Sequence, residues 1–353
     1  MNSEANQKLE IFSQKLREKI SGAPRVILFQ HKSPDLDSLG SNIGFLNYIF
    51  HFNPKAEVFI LSVDEPSRNM FEKVKKAIPE HFMIIDPSKF DYKNDDLLVF
   101  IDFSEISRAS KFPEFEIRNS QNVCVIDHHL VTPKFENNYV EPNNQSASSI
   151  IYELLALENI EIQKLNYEFI IMGILGDSGF LRYRDNKFTQ TLGIISKFIT
   201  KFGTESYYQI IESLEQNRPL EEYNLQKVYL NNLVYQENFA YTFITNEQRT
   251  EAGVSHSFSE TTNGAVLIRN LENTKFVFSV TQDLVYEDRF NLSFRTCSGS
   301  NFIVRELAEK LGGGGHAFAA GAQVKATNIQ NAINLVLSAI NEFNGFWTKN
   351  FPR

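Results

Sequence analysis

Carboxylates and imidazoles concentrate at four places in the chain: His31, Asp35 and Asp37 in HKSPDLDSLGS, Asp102 in FIDFSE, Asp127, His128 and His129 after VCVI, and Asp177 in GILGDSG. A carboxylate that follows an apolar run is commonly a helix cap or a turn residue, and Asp37 or Ser38 is well placed to cap the helical pattern that follows. The joint arrangement says more. Four aspartates and two or three histidines gathered on one edge would repel one another and be costly to desolvate unless cations neutralised them. His31, Asp35, Asp37, Asp102, His128 and Asp177 supply enough ligands for two ions if one carboxylate bridges them. Oxygen and imidazole donors without thiolate favour Mn²⁺, with Mg²⁺, Co²⁺ or Fe²⁺ as alternatives. Two cations roughly 3.5–4 Å apart suit attack on phosphorus, because they generate hydroxide and neutralise the phosphoryl oxygens. Hydrolysis of a phosphoester or phosphoanhydride is the reaction to expect.

These residues need elements that bring them to one edge. Arg25–Gln30, Glu57–Leu61, Phe82–Ile85, Leu97–Ile101 and Val123–Ile126 are short, β-rich apolar runs, and helical patterns such as Ser38–Phe50 and Pro66–Ile78 lie between most of them. Strands alternating with helices predict an α/β domain, a parallel sheet with helices on both faces, in which ligands sit beyond the carboxyl ends of the strands. Leu9, Phe12, Leu16 and Ile20 have helical spacing, as do Ser146–Leu157, Leu165–Leu175 and Thr189–Phe202. The polar stretch Ser213–Tyr223, broken by Pro219, marks the neighbourhood of a linker, giving a first domain over 1–205, a linker region over 206–235 and a second domain over 236–353. In that second, smaller α/β domain, Phe239–Thr245, Gly264–Ile268, Phe276–Thr281 and Arg289–Arg295 read as strands. Asn301–Leu311 and Ile329–Phe343 read as helices, with GGGGH between them.

Composition narrows the classes of function. The 35 basic and 43 acidic residues leave a formal charge of -8, which argues against coating long nucleic acid and leaves room for small anionic ligands in a local basic pocket. The two cysteines are far apart, so neither a disulfide framework nor a thiolate zinc site organises the chain, and Cys124 reads as a core residue of its strand. No apolar stretch approaches the roughly 20 residues that cross a bilayer, and the N-terminal segment lacks the apolar core of a signal peptide, so a cytoplasmic location without a membrane is expected. The 31 Phe suit a large core and one or two stacking platforms. In NNQSASS, a serine reads as an N-cap, with a role near the site left open.

HKSPDLDSLGS, FIDFSE, the Asp127–His129 triplet and GILGDSG resemble, in order and at comparable spacing, the four motifs of the DHH phosphoesterase superfamily; GGGGHAFAAGAQV, Gly312–Val324, resembles the glycine-rich signature of the DHHA1 substrate domain. The resemblance spans most of the chain, and its nearest subgroup is the compact nanoRNase and pAp-phosphatase members, bifunctional oligoribonucleases and PAP phosphatases. It implies a DHH catalytic domain followed by a DHHA1 substrate-binding domain. It implies that His31, Asp35 and Asp102 hold one metal and that Asp37, Asp102, His128 and Asp177 hold the other. His129 would touch the scissile phosphate as an acid or charge stabiliser, and Asp127 would orient a ligand through a hydrogen bond. GDSG has Ser where the family often has Thr, which leaves the ligand intact.

Gly313, Gly314, Gly315 and His316 would hold substrate through uncovered backbone N–H groups. Arg295 would contact a terminal phosphate, with Arg289, Arg182 and Arg184 as weaker candidates. The expected activity is two-metal hydrolysis of short oligoribonucleotides (nanoRNA), of the 3′-phosphate of pAp, or of both, by metal-activated hydroxide. The alternatives are cyclic or linear dinucleotide phosphodiesterase, then pyrophosphatase or exopolyphosphatase, then a non-catalytic nucleotide sensor. The resemblance calls for no obligate protein partner and is compatible with a homodimer, and the expectation is a protein with little beyond the two domains, without the transmembrane and sensor segments of membrane-bound cyclic-dinucleotide hydrolases.

Overall fold

Strands buried at every position need a cover on both faces, and RVILF, LLVFI and VCVID meet that description. A computed structural model of the chain describes residues 3–66, 73–75, 78, 80–111, 122–132, 134–182, 186–215, 218–255 and 263–350. It divides into two units, Met1–Gln216 and Asn217–Arg353.

The first unit runs α1 (Ser3–Gly22), β1 (Arg25–Phe29), α2 (Leu36–Phe52), β2 (Glu57–Ser62), β3 (Phe82–Ile84), β4 (Leu97–Ile101), β5 (Val123–Asp127), β6 (Asn138–Val140), α3 (Ala147–Leu157), α4 (Lys164–Asp177), α5 (Phe188–Phe202) and α6 (Thr204–Glu215). Its six strands are ordered β3-β2-β1-β4-β5-β6, and every pairing is parallel. Alternation along β1 divides the core. Val26 and Leu28 pack with the helices, among Leu16, Ile43, Ile151 and Ile170. Ile27 and Phe29 point to the other face, among Phe100, Phe103, Val125 and Phe135. The chain leaves β1 towards β2 and β3 on one side and returns through β4 to β5 and β6 on the other. The crossover direction therefore reverses between β1 and β4, which opens a crevice at the carboxyl ends of those strands.

The second unit runs α7 (Leu220–Asn231), β7 (Val234–Tyr235), β8 (Phe239–Ile244), α8 (Asn246–Glu251), α9 (Gly264–Ile268), β9 (Phe276–Gln282), β10 (Arg289–Thr296), α10 (Val304–Lys310), β11 (Gly314–His316), β12 (Ala319–Lys325) and α11 (Ile329–Asn350). Its sheet is mixed, in the order β11-β12-β10-β9-β8-β7, with β8 and β9 parallel and the other pairs antiparallel. Phe278, Phe290, Leu292 and Phe294 pack with Leu307, Ile333 and Val336 on one face.

Several expectations change. Gly264–Ile268, read as a strand, is a helix. Asn263 caps it by accepting from the Ala265 N–H, and a five-residue apolar run carries too little period to separate the two states. Between the two expected helices lies a ribbon that was not anticipated, in which Gly314–His316 pairs antiparallel with Ala319–Lys325. The 206–235 stretch is largely helical, in α6 and α7. Its polar residues cover the exposed sides of helices whose apolar positions, such as Ile210, Leu225 and Tyr229, are buried. The helix expected over Asn301–Leu311 is the shorter Val304–Lys310. Of the helix expected over Pro66–Ile78, most lies outside the described residues, and 73–75 are helical. No helix among the described residues is long and apolar enough to cross a membrane.

Candidate metal centre

Three strand ends and three helix ends meet at the crevice. His31 follows β1 and is 4% exposed. Its Nδ1 lies 2.7 Å from the Lys32 carbonyl, an acceptor only, so Nδ1 carries the proton and Nε2 faces the carboxylates. Nε2 is 3.6 Å from Asp35 Oδ1 and 3.3 Å from Asp102 Oδ2. Asp35 is the N-cap of α2, where Oδ1 accepts from the N–H groups of Asp37 (3.1 Å) and Ser38 (2.9 Å). The capping reading and the metal reading thus meet in one residue, with the cap falling on Asp35 instead of Asp37 or Ser38.

Asp102 follows β4 with φ +74°, a left-handed conformation that costs of order 1 kcal/mol or more in a residue with a side chain. The kink turns its carboxylate across the ends of two strands. Oδ2 faces His31, and Oδ1 lies 3.3 Å from Nε2 of His128. His128 follows β5, and its Nε2 is also 3.1 Å from Asp177 Oδ2 and 3.7 Å from Asp37 Oδ2. Asp177 is the last residue of α4. Asp37, 1% exposed, has both oxygens held by the start of α3: Oδ2 accepts from the Ala147 N–H at 2.6 Å and Oδ1 from the Ser148 N–H at 2.8 Å. A helix N-terminus suits a carboxylate because its first N–H groups lack partners and carry partial positive charge.

His129 lies beside these groups. Its Nδ1 is 2.7 Å from Asp127 Oδ1, and Asp127 Oδ2 accepts from Ser104 Oγ at 2.5 Å. The carboxylate fixes the Nδ1–H tautomer and leaves Nε2 as the ring's other polar atom. Asp127 therefore bonds to His129 and not to one of the expected metal ligands. Its carboxyl is buried, which alone would raise its pKa, and the His129 and Ser104 hydrogen bonds hold it below the usual range.

The charges decide what the centre can hold. Burial alone would lower the pKa of His31, yet hydrogen bonds and charge from Asp102 and Asp35 push it up to about 10. Burial likewise opposes the protonated form of His128, and Asp102 and Asp177 raise it well above the imidazole range. Burial, reinforced by Asp102 and Asp177, lifts Asp37 well above the carboxylate range. Burial also lifts Asp177. The centre therefore draws positive charge, and without an ion it takes that charge as protons on imidazole. Asp102 Oδ1 is buried with the His128 Nε2 beside it at 3.3 Å, so its charge is offset only by a cation, an imidazolium in the ion-free protein or a metal ion in the loaded one. Among the described residues, three overlapping sets have donor atoms within 4.8 Å of one another: His31, Asp35 and Asp102; Asp37, His128 and Asp177; and Asp102, His128 and His129. The donors fit hard to borderline divalent ions.

In the second unit, register places Arg295 opposite Ala319, Ser293 opposite Gly321, and Gly321 opposite Gly314. These positions share one face of the ribbon, away from the Phe290–Leu292–Phe294 core. Arg295 Nη1 donates to Ser293 Oγ at 3.0 Å and to the Phe294 carbonyl at 2.8 Å. A Cβ on Gly314 would meet nothing within 4 Å, and Gly314 has no positive φ, so neither packing nor strain explains its missing side chain. Gly313 differs, because a Cβ there would lie 2.6 Å from the Ala322 Cα. Gly315 has φ +137°. The His316 side chain and Arg184 lie outside the described residues. Arg182 is exposed, with Nε donating to the Gly179 carbonyl at 2.9 Å, and Arg289 lies over the Tyr286 ring at 3.9 Å. Ser104 and the Ala147 and Ser148 N–H groups were not singled out in the sequence. Only NNQSASS gave a local signal for the latter.

Fold and centre define a class. The chain matches the DHH family, N-terminal domain, over residues 25–175 and the DHHA1 domain over residues 236–342. It belongs to the DHH/DHHA1 phosphoesterase superfamily, hydrolases with His/Asp metal-binding groups. Among its relatives, it is 22% identical to the cyclic-di-AMP phosphodiesterase GdpP of Bacillus subtilis (strain 168), over 97% of this chain and 51% of that protein. It is 26% identical to the bifunctional oligoribonuclease and PAP phosphatase NrnA of the same organism, over 85% of this chain and 89% of that protein. The chain thus spans about half the length of GdpP-type relatives, and 37% of a phytoplasma membrane protein–ribosomal subunit bL9 fusion to which it is 24% identical over 91% of its own length. In fold it resembles an exopolyphosphatase-related protein from Bacteroides fragilis, with a TM-score of 0.80 and 18% identity over 96% of this chain and 98% of that one.

Proposed function

We propose that the chain hydrolyses phosphoester bonds in short nucleotide substrates, namely short oligoribonucleotides, the 3′-phosphate of pAp, or both, with two divalent cations. Mn²⁺ is the proposed metal, and Mg²⁺ or Co²⁺ are alternatives. The observation that carries the reading is Asp102, whose two buried oxygens each lie 3.3 Å from a different imidazole. In this reading His31, Asp35 and Asp102 would hold one ion and Asp37, His128 and Asp177, with Asp102 again, would hold the other. When bound, two such cations would activate a water and neutralise charge on the phosphoryl oxygens. His129 offers Nε2 to the scissile phosphate, as acid or charge stabiliser, and Asp127 holds its ring in place. The first unit carries the chemistry and the second holds the rest of the substrate, with Arg295 on a terminal phosphate over the small floor of Gly314 and Gly321, assisted by Gly313, Gly315 and His316.

The match over 89% of a relative named as an oligoribonuclease and PAP phosphatase supports this substrate class. A second reading, a cyclic or linear dinucleotide phosphodiesterase, draws on the match of 97% of this chain to a cyclic-di-AMP phosphodiesterase. A panel of RNAs from dimer to pentamer, pAp, cyclic di-AMP and pyrophosphate, assayed with Mn²⁺ and with Mg²⁺, separates the readings. Fastest mononucleotide release from dimers and trimers, with pAp turnover, is expected. Preferential turnover of cyclic di-AMP transfers the assignment to the second reading, and failure to cleave any of these substrates refutes both.

A further inference from the structure

Helices α2 and α4 pass each other with glycine where they approach most closely. A Cβ on Gly173 of α4 would overlap Ser148 Oγ and lie 2.9 Å from Asp37 Oδ1. One on Gly40 of α2 would overlap the Phe169 carbonyl oxygen and lie 3.1 Å from the Gly173 Cα. Gly44 against Ile170 and Gly176 against Leu36 continue the seam, at 2.5 and 2.8 Å to the nearest side-chain carbon. Neither Gly40 nor Gly173 has a positive φ, so backbone freedom does not explain them. Each costs its helix about 0.5–1 kcal/mol relative to alanine. What compensates lies at the ends of the seam. Asp37 stands three residues before Gly40 and Asp177 four residues after Gly173, so helical spacing puts both carboxylates on the contact face, one turn beyond the crossing. The first turn of α3 is wedged into the same place, with Ser148, fully buried, donating its N–H to Asp37.

We infer that Gly173 is a positioning residue: its missing side chain lets Asp37 and the start of α3 seat against α4, and so sets the spacing of Asp37, His128 and Asp177 as one cation-holding group. The other group, His31, Asp35 and Asp102, uses two strand ends and the α2 cap and no atom of α3 or α4. The inference rests on the two-cation reading above and adds that the two halves of the centre are separable by a change in helix packing.

Mn²⁺ titrations of the full chain by calorimetry, with electron paramagnetic resonance counting the bound ion, test it. Wild type is expected to bind in two steps. Gly173→Ala keeps one step and weakens the other by roughly 10–100-fold, the range for a lost supporting contact. Gly173→Ala combined with Ser148→Gly, which removes the Oγ and Cβ that the new methyl would strike and leaves the Asp37 Oδ1 contact at 2.9 Å, restores most of the second step. Gly193→Ala, in α5 where a Cβ would meet nothing within 4 Å, leaves both steps unchanged. Equal weakening of both steps by Gly173→Ala, or no weakening of either, overturns the inference. So does a double variant that fails to fold or to recover the second ion. Wild type that binds two ions but cleaves nothing in the substrate panel refutes the functional reading and leaves this inference standing.

Discussion

Loading the centre with metal should expel protons, and the number follows from the charges around His31 and His128. Burial opposes a charge on His31, but Asp102 and Asp35 outweigh it and its pKa is pushed up to about 10. His128 is raised well above the imidazole range for the same reason. Both rings are therefore protonated at pH 7 in the ion-free protein, whereas a ligand nitrogen must give up its proton. Uptake of two ions releases about two protons per chain from the imidazoles. Each displaced proton strengthens apparent affinity about tenfold per pH unit, so each ion, displacing about one, binds about tenfold more tightly at pH 8 than at pH 7. Stability without metal moves the other way. His31 has a raised folded-state pKa, so its stabilising contribution is complete below the unfolded value of 6.5 and is lost as pH rises through about 10. Over that window the ion-free protein loses on the order of 5 kcal/mol from this group. Mn²⁺ calorimetry in buffers of different ionisation enthalpy counts the protons, and thermal melts with chelator from pH 6 to 10 follow the stability. Proton release near zero, or affinity that does not change with pH, would refute the charge argument.

Ser104→Ala removes the donor to Asp127 Oδ2 and loosens the ring of His129. Turnover should fall about tenfold with two Mn²⁺ still bound, and unchanged turnover would remove Ser104 from the site. His129→Ala should lower turnover by about 10²–10³, with the stoichiometry of bound ion unchanged; loss of an ion would make His129 a ligand instead. Arg295→Ala should raise KM roughly 10–100-fold for substrates with a terminal phosphate and leave kcat nearly unaltered, with Arg295→Lys recovering only part of it; an equal effect on substrates lacking that phosphate would deny the contact. Arg25 Nε lies 3.1 Å from Asp96, both side chains being buried, so Asp96→Ala should cost about 3 kcal/mol in denaturant unfolding, and a loss below about 1 kcal/mol would show that Arg25 finds other partners.

The sequence alone determined the residue types and the places where strands end. Apolar runs such as LLVFI and VCVI are too short and too β-rich for helices, and their buried burial pattern in the structure follows from that composition. Each is followed by an ionisable residue, so Asp102 and Asp127–His129 could be named without coordinates. Short or glycine-rich segments were not legible in this way: Gly264–Ile268 and Gly314–His316 took the state their neighbours imposed, a cap from Asn263 and pairing with β12. Only the tertiary structure decided that β1 lies between β2 and β4, because strand order depends on how the whole sheet buries its faces and not on any local pattern. That order sets His31 beside Asp102, 71 positions apart in the chain. It also decided that Asp37 is held by α3, across 110 residues, and that Ser104 reaches Asp127, across 23, because hydrogen bonds between separate elements leave no periodic trace in the sequence that makes them.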